Sequence, residues 1–272
     1  MPLVFASICP HPPILIPEIG GNEINKVTKT KNAMEKLAKI LAEKEPETLI
    51  IISPHGLVHP DRMNVCGMKK IYGDLSNFNA PKVRFNFDND LELAYEIDRK
   101  ANQMQLQTLL YNNGGDYYEL DHGSIVPLYF LTQKLERPVK LVPISYSFQD
   151  RQTHFQFGQI IYEIISKKSE SIGIIASGDL SHRLIPASPA GYNEYGKEFD
   201  KRLVEVLKKK DINQILEFDE DFVEEAGECG YRSILILLGA INKLKWKPEV
   251  LSYEGPFGVG YMVANLEIKE VK

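Results

Sequence analysis

The sequence predicts an α/β protein of three-layer α/β/α form, with a central mixed, mostly parallel sheet and an active site at the strand carboxyl ends. Three observations lead there. Short continuous apolar runs recur, at residues 49–53, 140–145 and 171–177; unbroken β-branched runs mark strands buried on both faces. Stretches with apolar residues at helical spacing separate them, notably 22–43 and 151–167. Several of the runs stop in loops of proline, glycine and aspartate that carry a histidine. Open α/β sheets bind ligands at that edge.

In chain order, residues 3–9 form a first strand that ends in Cys-Pro-His-Pro-Pro, where the prolines forbid helix and stiffen the turn around His11. The helix 22–43 follows and closes at Pro46. The strand of Leu-Ile-Ile-Ile-Ser-Pro-His-Gly (49–56) stops at Pro54, because proline cannot continue the ladder, and delivers His55. Residues 65–68 and 83–87 read as weaker strands, 90–103 as a helix capped by Asp88 or Asn89, and 107–111 as a short strand. A turn cluster at 112–116 leads into Asp121-His122-Gly123 and a helix over 125–135. The strand 140–145 and the helix 151–167 come next. The strand 171–177 then ends in Gly-Asp-Leu-Ser-His, which delivers His182. Helices over 197–210 and 229–243 flank an acidic segment at 219–228, and strands 250–253 and 259–266 close the chain as an antiparallel pair.

With 272 residues and 43% hydrophobic content, one domain over 1–272 can bury a sizeable core. A net charge of −5 argues against non-specific nucleic-acid binding. No apolar run approaches the length of a membrane span, and the first residues lack a basic n-region. Three cysteines without CxxC spacing suit free thiols in a reducing cytoplasm.

His11, His55, His122 and His182 share one context, loops positioned by a rigid scaffold. Two neutral imidazoles with one carboxylate make the facial triad of non-haem Fe(II); zinc accepts a similar set with water in the open position. Glu228, between small residues in Ala-Gly-Glu-Cys-Gly, is the expected carboxylate, and Glu254 is its rival. Asp179 would orient His182 from behind. Cys229 would serve a softer metal through sulfur. His59 and His154 are expected outside the site, with His154 exposed on the first turn of its helix. The glycines of 255–260 lack GxGxxG order and read as a turn, not a nucleotide cradle.

The ordered set Cys-Pro-His-Pro-Pro (9–13), Ser-Pro-His-Gly (53–56), Asp-His-Gly-Ser-Ile-Val-Pro-Leu (121–128), Ser-Gly-Asp-Leu-Ser-His (177–182) and Gly-Glu-Cys-Gly-Tyr-Arg-Ser (227–233) resembles the class III extradiol ring-cleavage dioxygenases, the family of the catalytic B subunit of protocatechuate 4,5-dioxygenase. It also resembles the related Memo-like proteins. The resemblance implies Fe(II) held by His11, His55 and Glu228, with His182 as acid/base and His122 as a second active-site histidine. It implies a catechol or aminophenol substrate with O2, and a homodimer. The Memo-like branch points to Cys229 instead, with copper as the alternative metal and a partner-binding role.

Overall fold

The computed structural model describes residues 2–269. Eleven strands and nine α-helices are found among them. The strands are β1 (Leu3–Cys9), β2 (Thr48–Ser53), β3 (Met63–Cys66), β4 (Lys70–Leu75), β5 (Ala80–Asp88), β6 (Thr108–Tyr111), β7 (Tyr118–Glu119), β8 (Lys140–Ser145), β9 (Ile172–Ser177), β10 (Trp246–Glu254) and β11 (Tyr261–Ile268). The helices are α1 (Pro17–Gly20), α2 (Thr28–Lys44), α3 (Leu91–Gln103), α4 (His122–Leu131), α5 (Arg151–Ile165), α6 (Glu194–Lys209), α7 (Ile212–Leu216), α8 (Glu220–Ala226) and α9 (Tyr231–Ile241).

Eight strands form one mixed sheet in the order β10-β11-β1-β9-β2-β8-β3-β6. Its centre, β1-β9-β2-β8, is parallel throughout. The β10–β11 pair adds on antiparallel, as the sequence predicts. Successive residues of β2 serve opposite cores: Ile50 and Ile52 pack with α3, α5 and α9, whereas Leu49 and Ile51 pack with α2 and α4. A strand side chain alternates between faces, so an all-apolar strand requires a helix layer on each side. All four side chains are fully buried, each worth about 1.5–3 kcal/mol of transfer free energy.

The layers are tight. Helices α5 and α9 cross at Gly158 and Gly239, where an added Cβ would lie 1.9 Å from Ile236 O and 2.0 Å from Phe155 O respectively. Any side chain there would push the helices apart.

Several features depart from the sequence-based expectation; helix α3, for one, is capped by Asp90, whose carboxylate accepts the Leu93 N–H, and not by Asp88 or Asn89. A second sheet, β5-β4-β7, stands apart from the first. Strand β7 escapes notice because it is two residues long, and β4 because Gly73, which leaves room for Leu120 and Ile125, stands where its buried alternation would show an apolar side chain. Helix α4 starts at His122, not at 125, because the Asp121 carboxylate accepts the Ser124 N–H at 3.0 Å and caps it. His154 is fully buried, not exposed, with both ring nitrogens against the carbonyls of Asp150 and Ser147. No helix among the described residues is long and apolar enough to cross a membrane.

Candidate metal centre

Strands β1, β9 and β2 lie side by side and parallel, with Cys9 opposite Ser177 and Ile52 opposite Ala176. Their carboxyl ends therefore coincide, and the loops bearing His11, His55 and His182 leave the sheet together. The N-terminus of α4 adds His122. One ligand atom from each of His11, His55 and His122 lies within 4.8 Å of the others. The Nε2 atoms of His11 and His55 are 3.0 Å apart, and the His55 and His122 rings stack at 4.4 Å.

The state of His11 follows from its neighbours. Its Nδ1 lies 2.9 Å from Ser177 Oγ, and the Ser177 hydroxyl donates its only proton to Gly123 O. His11 Nδ1 must therefore donate to Ser177, which leaves Nε2 bare. Gly123 O is free to accept because the residue four positions on is Pro127, which has no N–H to complete the helical bond. A proline inside α4 thus sets the tautomer of a histidine on another element. Asp179, expected behind His182, stands behind His11 instead, where its Oδ1 accepts the His11 backbone N–H at 2.9 Å.

His182 is fixed similarly. Its Nδ1 donates to Gly227 O at 2.8 Å, leaving Nε2 bare. The preceding residue is pinned by Asp200, whose Oδ1 accepts the Ser181 N–H at 2.8 Å and whose Oδ2 accepts the Tyr253 hydroxyl at 2.6 Å. His182 lies close enough for its charge to act on both His11 and His55.

Burial keeps the imidazoles uncharged. It holds His11 well below the ordinary histidine value, helped by the charges of His55, His122 and His182. It brings His55 down to about 4 and lowers His122 and His182. The same desolvation pushes the Asp179 carboxyl up to about 7. Neutral imidazoles with bare nitrogens are the form that binds metal. Two nitrogens 3.0 Å apart need a proton or a cation between them. The donor set thus fits a divalent first-row metal, Fe(II) among them.

The carboxylates are placed differently from the expectation. Glu228 is buried, but its carboxylate accepts the Tyr231 N–H at the start of α9 and lies 4.0 Å from Arg232 Nη1. It lines a separate cavity of about 500 Å³. Glu254 accepts from both the N–H and the hydroxyl of Thr30, at 2.7 Å each, at the head of α2. Neither joins the histidine group. Asp179 does approach it, with Oδ2 at 3.9 Å from His11 Nε2. So does Cys229, whose Sγ is 3.7 Å from the same nitrogen. Gly178 and Gly230 make that approach possible, because a Cβ on Gly178 would lie 2.1 Å from Gly230 Cα.

A cavity of about 700 Å³ opens onto His55 and His122. Its walls come from β4, β7 and the loop before β7, and Phe78 leans on His122 at 5.3 Å. Ser177, Pro127, Asp200 and Phe78 are the residues that sequence reasoning misses. A proline at the third position of the predicted helix 125–135 is the one signal among them that the sequence displays.

Known proteins resemble this chain over much of its length. A protein of Clostridium acetobutylicum, CA_C1420, is 38% identical over 96% of this chain, and the chain spans 56% of that protein's length. The 3,4-dihydroxyphenylacetate 2,3-dioxygenase of Escherichia coli is 26% identical over 91% of this chain and 92% of its own. A MEMO1 family protein of Methanosarcina mazei is 30% identical over 47% of this chain and 44% of its own. The crystal structure of uncharacterized protein JW3007 from Escherichia coli K12 superposes with a TM-score of 0.63 at 14% identity, over 97% of this chain and 99% of that one, and shares the three-layer fold. The sequence model described as the catalytic LigB subunit of aromatic ring-opening dioxygenase matches residues 5–264. From its first strand to its last, then, this chain belongs to the family of the catalytic LigB subunit of aromatic ring-opening dioxygenase.

Proposed function

We propose that this protein is a non-haem Fe(II) extradiol-type dioxygenase that opens the ring of a catechol or aminophenol with O2. The observation that carries the reading is the convergence of bare imidazole nitrogens beside a cavity large enough for an aromatic ring. His11 and His55 are the proposed metal ligands, with His122 nearest to complete the set. Fe(II) would bring the vicinal heteroatoms of the substrate and dioxygen together and act as Lewis acid.

The chain's own residues do the rest. His182 presents a bare Nε2 and stays neutral at pH 7, so it can take a phenolic proton there. The Gly227 carbonyl holds the opposite nitrogen and steadies the imidazolium that results. Asp179 and Ser177 fix His11 from behind, and buried supports of this kind hold a donor in productive geometry. Phe78 packs on His122 in the cavity wall, its ring centroid 5.3 Å away.

A second reading has its own observation. The Cys229 thiol faces His11, and a His-Cys set suits a softer metal such as copper or zinc. The protein would then act as a MEMO1-like metal-binding or partner-binding protein, or as a metal-dependent hydrolase. Anaerobic purification with metal quantification, followed by oxygen consumption over a panel of catechols and aminophenols, separates these readings. Bound iron with oxygen uptake is the expected result. Copper or zinc without uptake would overturn the dioxygenase assignment.

A further inference from the structure

The cavity above His55 and His122 carries charge of one sign. Asp74, Asp116, Glu119 and Asp121 line it, and no lysine or arginine does so among the described residues. Two of these carboxylates accept hydrogen bonds from neutral donors: Asp74 from Tyr72 Oη and the Ser76 N–H, and Asp121 from the Ser53 hydroxyl and the Ser124 N–H. Such donors orient a carboxylate without cancelling its charge. Asp116 and Glu119 form no ion pair among the described residues. Arg84 stands opposite Asp74 in the β4–β5 register but lies outside the lining. Between the acids stand the rings of Phe78 and Tyr117, the latter packed edge-on against Tyr72 at 5.4 Å. Aromatic faces among carboxylates recognise organic cations.

We propose that this cavity selects an ortho-dihydroxyphenyl substrate whose side chain ends in a cationic amine, and that it rejects substrates with a carboxylate tail. The proposal rests on the ring-cleavage reading, because His55 and His122, which line the cavity, fix where the ring must go. The tail then extends between Asp74 and Glu119, into a field that attracts an ammonium and repels an anion. The E. coli relative, named for 3,4-dihydroxyphenylacetate, is named for a substrate of the opposite tail charge.

The test compares two catechols of similar size and opposite charge, 2-(3,4-dihydroxyphenyl)ethylamine and 3,4-dihydroxyphenylacetate, bound anaerobically to the iron-loaded full chain. At low salt the amine should bind about tenfold more tightly. The ratio should shrink toward unity at about 0.5 M salt, as screening removes it. Asp116→Asn with Glu119→Gln should lower it by about threefold. Equal binding, tighter binding of the carboxylate, or a ratio insensitive to salt would overturn the proposal. Oxygen uptake with unsubstituted catechol runs in parallel. Its absence sinks the ring-cleavage reading, whereas the anaerobic ratio still decides what the cavity prefers.

Discussion

The Nε2 atoms of His11 and His55 face each other across 3.0 Å, and His11 can offer a lone pair there only because Ser177 takes the proton on its far side. Ser177 can do so because Pro127 leaves Gly123 O without a helical partner. Removing the hydroxyl should free the His11 tautomer. Ser177→Ala is therefore expected to weaken metal binding by about tenfold, measured by chelator competition. Nitrogen NMR shifts of His11 should show mixed tautomers in that variant. Pro127→Ala, which restores a donor to Gly123, should give the same signature more weakly.

His182 should matter for turnover and not for metal. Its Nδ1 is committed to Gly227 O, and no contact joins its Nε2 to His11 or His55. His182→Ala is expected to lower turnover by about a hundredfold while metal content stays at wild-type level. Unchanged turnover would remove it from the role of base. Loss of metal would make it a ligand.

The third donor can be identified by metal retention. His11→Ala and His55→Ala should abolish stoichiometric binding, and His122→Ala should weaken it. Glu228→Gln should keep affinity within about threefold of wild type, because its carboxylate already serves the Tyr231 N–H. If Glu228→Gln empties the site instead, the carboxylate must turn inward on metal binding. If Cys229→Ser does so, the softer-metal reading gains.

Buried carboxyls should make the metal-free protein less stable as pH rises. Burial pushes Asp179, Asp200 and Glu228 each up to about 7. Between roughly pH 4 and pH 7 the folded state keeps protons that the unfolded chain has lost, so unfolding free energy falls through that window. A shift of that size in one group corresponds to on the order of 4 kcal/mol. Asp200→Asn keeps an acceptor for the Ser181 N–H and should flatten the profile by about a third. Denaturant melts at pH 4.5, 6 and 7.5 would show it; a profile identical to wild type would mean that Asp200 is ionised throughout.

The sheet centre was legible in the sequence because its strands are apolar on both faces, a pattern that needs no knowledge of neighbours. Residues 49–53, 140–145 and 171–177 coincide with β2, β8 and β9 to within a residue or so. Strands β4 and β7 were not legible, since Gly73 interrupts the apolar alternation of the one and the other is only two residues long. The histidines were visible through the loops that carry them. The direction of Glu228 was not, because one turn of backbone decides whether it or Cys229 looks at His11. His154 was misplaced for a related reason: its burial is created by the loop at Ser147, which sequence spacing does not describe.

The strand order has a consequence for biosynthesis. Strand β1 is made first, yet both its partners, β9 and β11, come from the second half of the chain. On the ribosome, β1 and its histidine loop must wait, apolar and unpaired, until residues 172–177 have emerged. Such long-range closure slows folding and exposes strand edges meanwhile. The metal site can therefore form only late, and a nascent chain stalled before β9 would carry His11 and His55 without the sheet that brings them together.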